Sequence, residues 1–306
     1  MKPRLPKLSI GKDSKTINEI VVGVRLGLSI FATVSVMSVQ STYWRTSTGK
    51  IQHEIFPEKT EEHTRLFIRN TDPLTMDFDP ETGTFRTMPQ QSSQKCYTVP
   101  SKTEKEYLRS LQVEHRKTSA QIQSYTIKFP NDYDTHPKYI RLERLLSILE
   151  DKITQTLNTI ALSVARKIYT LVKYYARRYP NQHIRVQVGD LQRSRTPLSP
   201  QDFQSSYFIN QHYVLTFYRQ VQYYLVSLLY EVTIGVWRVD AGQCPQLCAQ
   251  CGYPGQNQDK QFRCTNENHK NAQGNYYTCD ARLNSTRNHA LFPPISAKPL
   301  SPEWYD

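Results

Sequence analysis

The chain is short of cysteine, of acid and of long apolar runs. Of its six cysteines, five fall between Cys244 and Cys279. A disulfide-stapled secreted fold spreads its cysteines and is much shorter, so this clustering points to a metal held in a reducing compartment. Cys96 stands alone and is expected to be just a small, semi-buried residue. Acid is outnumbered, with 27 Asp and Glu against 39 Lys and Arg, which leaves a net charge of +12. That balance favours a polyanionic partner, nucleic acid or an anionic membrane surface, and charge alone does not separate the two. No internal repeat is present. There is also no H-E-x-x-H pair, so a catalytic zinc with an activated-water partner is not expected.

One stretch, Ile20–Val39, is apolar enough to suggest a membrane anchor, since it carries a single charge and follows Lys2, Arg4, Lys7, Lys12 and Lys15. Against a span stand Arg25 at its centre, two glycines, several Ser and Thr, and many β-branched residues. A central Arg costs about 2.5–3.5 kcal/mol on insertion scales. The Gly23 and Gly27 spacing suits a helix dimer or a strand turn. The pattern over Ile20–Val36 favours strand, tight Gly turn, strand.

What is present is enough for a real core. The chain has 306 residues, 38% of them hydrophobic and 22% charged, which is globular rather than disordered composition. Twenty tyrosines supply amphipathic rings for stacking on bases or for half-buried packing. After a basic lead-in over residues 1–19 and the first hairpin, Thr42–Phe56 alternates around Ser47-Thr48-Gly49. Residues 71–95 have loop composition, including the acidic Asp77, Asp79 and Glu81. A polar helix is expected from Lys102 to about Ser124. The strongest helix follows, with Leu142, Leu145, Leu149, Ile153, Leu157, Ile160, Val164, Ile168, Leu171 and Tyr175 at three- and four-residue spacing. Arg177, Arg178 and then Pro180 mark its end. His183–Leu191 alternates as a short strand, Tyr207–Glu231 forms an aromatic-rich helix, and Gly235–Val239 a last strand. Helix leading directly into buried strand is an α/β signature. The tail from Pro293 to residue 306 is Pro-rich and expected to be unstructured.

The cysteine window has the form of a zinc ribbon. Cys248-Ala-Gln-Cys251-Gly252 is a knuckle in which two thiolates share one turn. A structural zinc needs two more ligands from a second knuckle some dozen residues on. Cys264 is well placed. The fourth ligand is His269 or Cys279, with Cys244 a third option that would crowd the first knuckle.

The order of these pieces resembles the C-terminal half of TnpB-type transposon proteins and the type V CRISPR effectors. Their first motif is similar to VGVRLGL, Val22–Leu28, followed by Ala32-Thr33-Val34-Ser35. The second is similar to Val186-Gln187-Val188-Gly189-Asp190-Leu191, and the ribbon start to Pro245-Gln246-Leu247-Cys248 through Gly252. The third is similar to Asp280-Ala281-Arg282-Leu283-Asn284-Ser285-Thr286-Arg287-Asn288. The resemblance covers about residues 18–290. It implies an RNase H-like (RuvC) mixed sheet flanked by helices, with an inserted zinc ribbon and structural zinc. In that reading residues 20–240 form the RuvC-like domain with a helical insertion at about 100–180, 241–279 the ribbon, 280–292 the last motif helix, and 293–306 the tail.

The departures matter as much as the matches. The family's three metal-binding acids align with Arg25, Gly189 and Arg282. Two-metal phosphodiester hydrolysis requires carboxylates, and arginine has no acceptor oxygen. The resemblance therefore implies a nuclease-inactive, RNA-guided DNA-binding protein in transposition targeting or repression. Its partners would be guide RNA and DNA, with transposition proteins or a separate N-terminal half, in a prokaryotic, nucleoid-associated setting and without a membrane. The alternatives are an active transposon endonuclease using displaced acids such as Asp190 or Asp280, and a membrane-anchored zinc-binding protein. Arg25 and Arg282 could grip phosphate directly, with Arg177, Arg178, Arg193 and Arg195 as further nucleic-acid contacts.

Overall fold

The computed structural model describes residues 15–27, 30–45, 51–55, 60–69, 76–79, 84–87, 104–131, 133–189, 211–258, 260–270, 273–295 and 298–302. Arg193, Arg195 and Asp190 lie outside them, as does Cys96.

The apolar stretch with the look of an anchor is two antiparallel strands, β1 (Lys15–Leu26) and β2 (Ile30–Arg45), with Val22 opposite Val36 and Arg25 opposite Thr33. No helix among the described residues is long and apolar enough to cross a membrane. β2 pairs at one end with β3 (Ile51–Ile55) and at the other with β4 (Glu61–Arg69). Beyond β1 the sheet turns parallel: β7 (His183–Gly189) pairs with β1, and β8 (Gly235–Val239) with β7. The order β3-β2-β1-β7-β8 thus makes a mixed sheet. Helix α1 (Glu104–Lys128) and helix α2 (Pro137–Arg178) precede β7, and α3 (Gln211–Glu231) joins β7 to β8. This is the helix-flanked mixed α/β sheet that the sequence led us to expect.

From Ile20 to Val24 β1 carries no polar side chain, because it is central there and covered on both faces. Ile20, Val22 and Val24 point, with Val34, Val36, Val186, Val188 and Val236, into the main core under α2 and α3. The α2 stripe from Leu149 to Tyr175 fills that core. The opposite face carries Val21, Met37 and Val39 against Ala290 of helix α4 (Ala281–Leu291). Gly23 lies under α4: a Cβ there would sit 2.3 Å from the Thr286 carbonyl oxygen, so only glycine lets the helix rest on the strand.

Two sequence expectations are corrected. The loop-like 71–95 segment contains a hairpin, β5 (Met76–Asp79) with β6 (Thr84–Thr87). The tail from Pro293, expected to be unstructured, packs on the sheet over its described residues. Ile295 N–H donates to Arg238 O at 2.8 Å, Leu300 N–H donates to Val236 O at 2.7 Å, and Leu300 is buried. The physical reason is that β8 is an edge strand whose outward carbonyls need donors, and extended, Pro-containing backbone suits an edge.

Candidate metal centre and the neighbouring sheet end

The ribbon consists of β9 (Gly255–Gln258), β10 (Gln261–Cys264) and β11 (Thr278–Asp280), preceded by the Cys248 knuckle. Ligand atoms of Cys248, Cys251, Cys264 and His269 all lie within 4.8 Å of one another. Cys251 Sγ is 3.6 Å from Cys264 Sγ, and Cys248 Sγ is 3.6 Å from His269 Nδ1. Tetrahedral zinc with bonds of about 2.3 Å to sulfur and 2.0 Å to nitrogen separates its ligands by about 3.5–3.8 Å. The donor set and its spacing fit a structural zinc, which would cross-link the two knuckles and leave no open position for chemistry.

The surroundings complete the fit. His269 Nε2–H donates to Gln250 Oε1 at 2.8 Å, which leaves Nδ1 free to ligate. Its ring stacks on Tyr277 with centroids 4.8 Å apart. Burial raises the Cys251 thiol, yet the Tyr253 amide and the Asn266 side chain outweigh it and hold the group below the usual thiol range. Cys248 is pushed up to about 12 by burial. The cluster that could hold a metal includes His269 and leaves out Cys279. Cys279 sits on β11 opposite Phe262, outside the cluster, and Cys244 donates its S–H to Asp240 O at 3.0 Å.

Helix α4 ties this centre to the sheet. Asn284 Oδ1 accepts from Ala249 N–H at 2.9 Å, and Asn284 Nδ2 donates to Leu247 O at 2.7 Å, so the two residues flanking Cys248 are both held. Asn288 donates to the Cys244 and Leu247 carbonyls. Arg287 Nε reaches both Glu62 oxygens on β4 at 3.1 Å, and its Nη1 donates to Tyr277 Oη. Burial raises the Glu62 carboxyl, but bonds from Arg287, Ser35 and Arg65 hold it below its ordinary range.

The sheet end where the acids were expected is filled differently. Val24 pairs with Val188, so Arg25 and Gly189 follow side by side at the C-terminal ends of β1 and β7. A Cβ on Gly189 would lie 2.8 Å from His289 Cε1 and 3.1 Å from Ala241 Cβ. His289 is fully buried, and its Nδ1–H donates to Val24 O at 2.8 Å. Burial depresses its pKa to about 4; the Val24 bond opposes this and the Arg25 charge adds to it. The imidazole is therefore neutral near neutral pH.

The remaining predicted arginines that are described sit on helices rather than at the strand ends. Arg282 is the second residue of α4, and its amide donates to Asp280 Oδ1 at 2.8 Å. It stands seven residues, or about 10 Å along the helix axis, from His289. Asp280 also accepts from Leu283 N–H, so its carboxylate caps α4. Arg177 and Arg178 are exposed at the end of α2, near the start of β7, whereas Gly189 closes that strand. His289, the Glu62–Arg287–Tyr277 chain and the anchoring role of Asn284 and Asn288 were missed from sequence. Only the i, i+4 asparagine pair within the third motif offered a signal.

No family model and no curated protein matches the chain. Among solved structures it is similar to a Cas12f1–sgRNA–target DNA complex at 13% identity, covering 89% of this chain and 49% of that one, with TM-score 0.39. It is similar to Alicyclobacillus acidoterrestris C2c1 in complex with single-guide RNA at 12% identity, covering 89% and 38%, with TM-score 0.45. A third is CasPhi-2 (Cas12j) bound to crRNA, at 12% identity, 92% and 49% coverage and TM-score 0.37. The chain spans about half or less of the length of these proteins.

Proposed function

We propose that this chain is a nuclease-inactive, RNA-guided DNA-binding protein of the TnpB and type V effector kind, acting in transposition targeting or repression. One observation carries the loss of cleavage: a neutral, buried His289 fills the space beside Gly189, next to Arg25. A two-metal site needs several carboxylate oxygens converging on that end of the sheet. Among the described residues, four acids near the sheet have other work. Glu62 pairs with Arg287, Glu19 with Arg185 and His183, Asp240 holds the Gly242 amide, and Asp280 caps α4. The last of these weighs against Asp280 as a displaced metal ligand.

The guided part of the reading rests on the motif order, the ribbon and the charge. Guide RNA and target DNA would be the partners, with sequence read by base pairing and the protein contributing backbone contacts. A Cys3His zinc would be structural. Purified full-length protein with Mg²⁺ and single-stranded DNA should give no cleavage. Cleavage that disappears in Asp190→Ala or Asp280→Ala would overturn the inactive reading. RNA that copurifies should sequence as a discrete small species; its absence would overturn guidance.

A further inference from the structure

Charge is unevenly divided between the two long helices. Helix α1 mixes Lys105, Arg109, Arg116, Lys117 and Lys128 with Glu104, Glu106 and Glu114. The first third of α2 is likewise balanced, Lys138, Arg141 and Arg144 against Glu143, Glu150 and Asp151. From residue 152 to 178 there are six cations and no acid. At 100° per residue, Lys152, Arg166, Lys173 and Arg177 lie within about 60° of one another. That arc faces away from the buried stripe of Ile153, Leu157, Val164, Ile168, Leu171 and Tyr175. Lys152, Arg166 and Arg177 are exposed, and Lys173 is half-buried.

An ordinary solvated helix face relieves repulsion with interleaved acids, as α1 does. Here none is present, and among the described residues Lys152, Arg166, Lys173 and Arg177 have no carboxylate partner. The helix dipole accounts for Arg177 and Arg178 in the last turn and for nothing earlier. We propose that this face of α2 is a docking surface for the phosphate backbone of a nucleic-acid duplex, read without regard to sequence. It rests on the nucleic-acid-binding reading above and says where that binding occurs.

Geometry favours a duplex over a single strand. The row extends about 38 Å along one continuous helix, a span that a stiff double helix can follow. Single-strand sites rely on free aromatic rings for base stacking. In this arc the cations are separated by Gln155, Thr156, Thr159 and Thr170 instead. The flanking rings are occupied: Lys173 Nζ lies 5.1 Å over Tyr169, and Arg178 donates to Tyr174 Oη and covers Tyr179.

The test is a salt titration of full-length protein on a labelled DNA duplex of arbitrary sequence and on one of its strands. Removing one phosphate-binding cation should lower the slope of log K against log salt by about 0.9 for duplex. The triple variant Arg166→Gln/Lys173→Gln/Arg177→Gln should therefore lose nearly three units of slope on any duplex sequence. Arg116→Gln/Lys117→Gln on α1 should leave the slope unchanged, and a charge-preserving Arg166→Lys/Arg177→Lys variant should retain it. A triple variant with wild-type slope overturns the surface while leaving nucleic-acid binding intact, as does a wild type that prefers the single strand. A wild type that binds neither overturns the nucleic-acid reading itself.

Discussion

Helix α4 has two neighbours of opposite fate. On one side Asn284 and Asn288 hold a knuckle whose two cysteines converge with Cys264 and His269 to within 4.8 Å. On the other, His289 lies over the sheet end where hard-metal oxygens would be needed and finds Arg25 and Gly189. Zinc fits the first site, and among the described residues Arg25, Gly189 and His289 bring no carboxylate oxygen for Mg²⁺ to the second. The donor set that would organise backbone is complete, whereas the sheet end that the resemblance assigns to hydrolysis carries Arg25 and Gly189. Both places lie against a single eleven-residue helix.

The largest effect should come from breaking the intact side. The purified protein should carry one zinc per chain, and chelation should lower its thermal midpoint steeply, since structural zinc contributes about 10–16 kcal/mol in isolated ribbons and fingers. His269→Ala should lose the metal and Cys279→Ala should keep it, as measured by zinc stoichiometry. The reverse result would move the fourth ligand to β11 and dissolve the contrast drawn around α4. Next in size is the bridge between the two sides. Glu62→Ala leaves the buried Arg287 guanidinium without its carboxylate, and denaturant unfolding should show a loss of about 3–5 kcal/mol.

Much of the intact side was legible in the sequence and little of the altered side was. The C-x-x-C knuckle, Cys264 and His269 are local patterns whose spacing constrains geometry, although the choice between His269 and Cys279 required the fold. The apolar runs of β1, β7 and α2 were equally readable, because burial on two faces or one stripe leaves a period in the residues. By contrast, His289 touches Val24 and Gly189, residues separated from it by 265 and 100 positions, and no period encodes such a contact. The tail was misread for a related reason: its prolines signal an absence of regular structure, while its partner, the open edge of β8, is a tertiary fact.

Acid should expose the altered side through His289. Its folded pKa is lowered from 6.5 to about 4. The buried neutral ring therefore contributes stability that is complete above the unfolded value of 6.5 and is lost as pH falls from there toward 4. The full loss is about 3 kcal/mol, since each tenfold change in proton affinity between the folded and unfolded chain is worth about 1.36 kcal/mol. Carboxylates protonate in the lower part of the same range, so the comparison is with His289→Gln. Between pH 6.5 and 4 the wild type should lose more stability than the variant, and parallel curves would mean the ring is hydrated after all.

The smallest predicted effect sharpens the contrast most. If His289 occupies the place beside residue 189, no side chain can return there without displacing it. Gly189→Ala brings a Cβ within 2.8 Å of the imidazole and should destabilise by about 1–3 kcal/mol, the usual range for overpacking a filled core. His289→Ala opens a cavity of its own, but the double variant should be more stable than the sum of the two losses, because each change removes the other's cause. Urea unfolding of the four proteins gives this coupling directly. Gly189→Glu should give no cleavage, for the same steric reason and because the Arg25 charge repels a divalent ion. Additive losses, or a neutral Gly189→Ala, would show the ring and the strand end to be independent, and the absence of the acid would then be a simple deletion instead of a site closed by a new side chain.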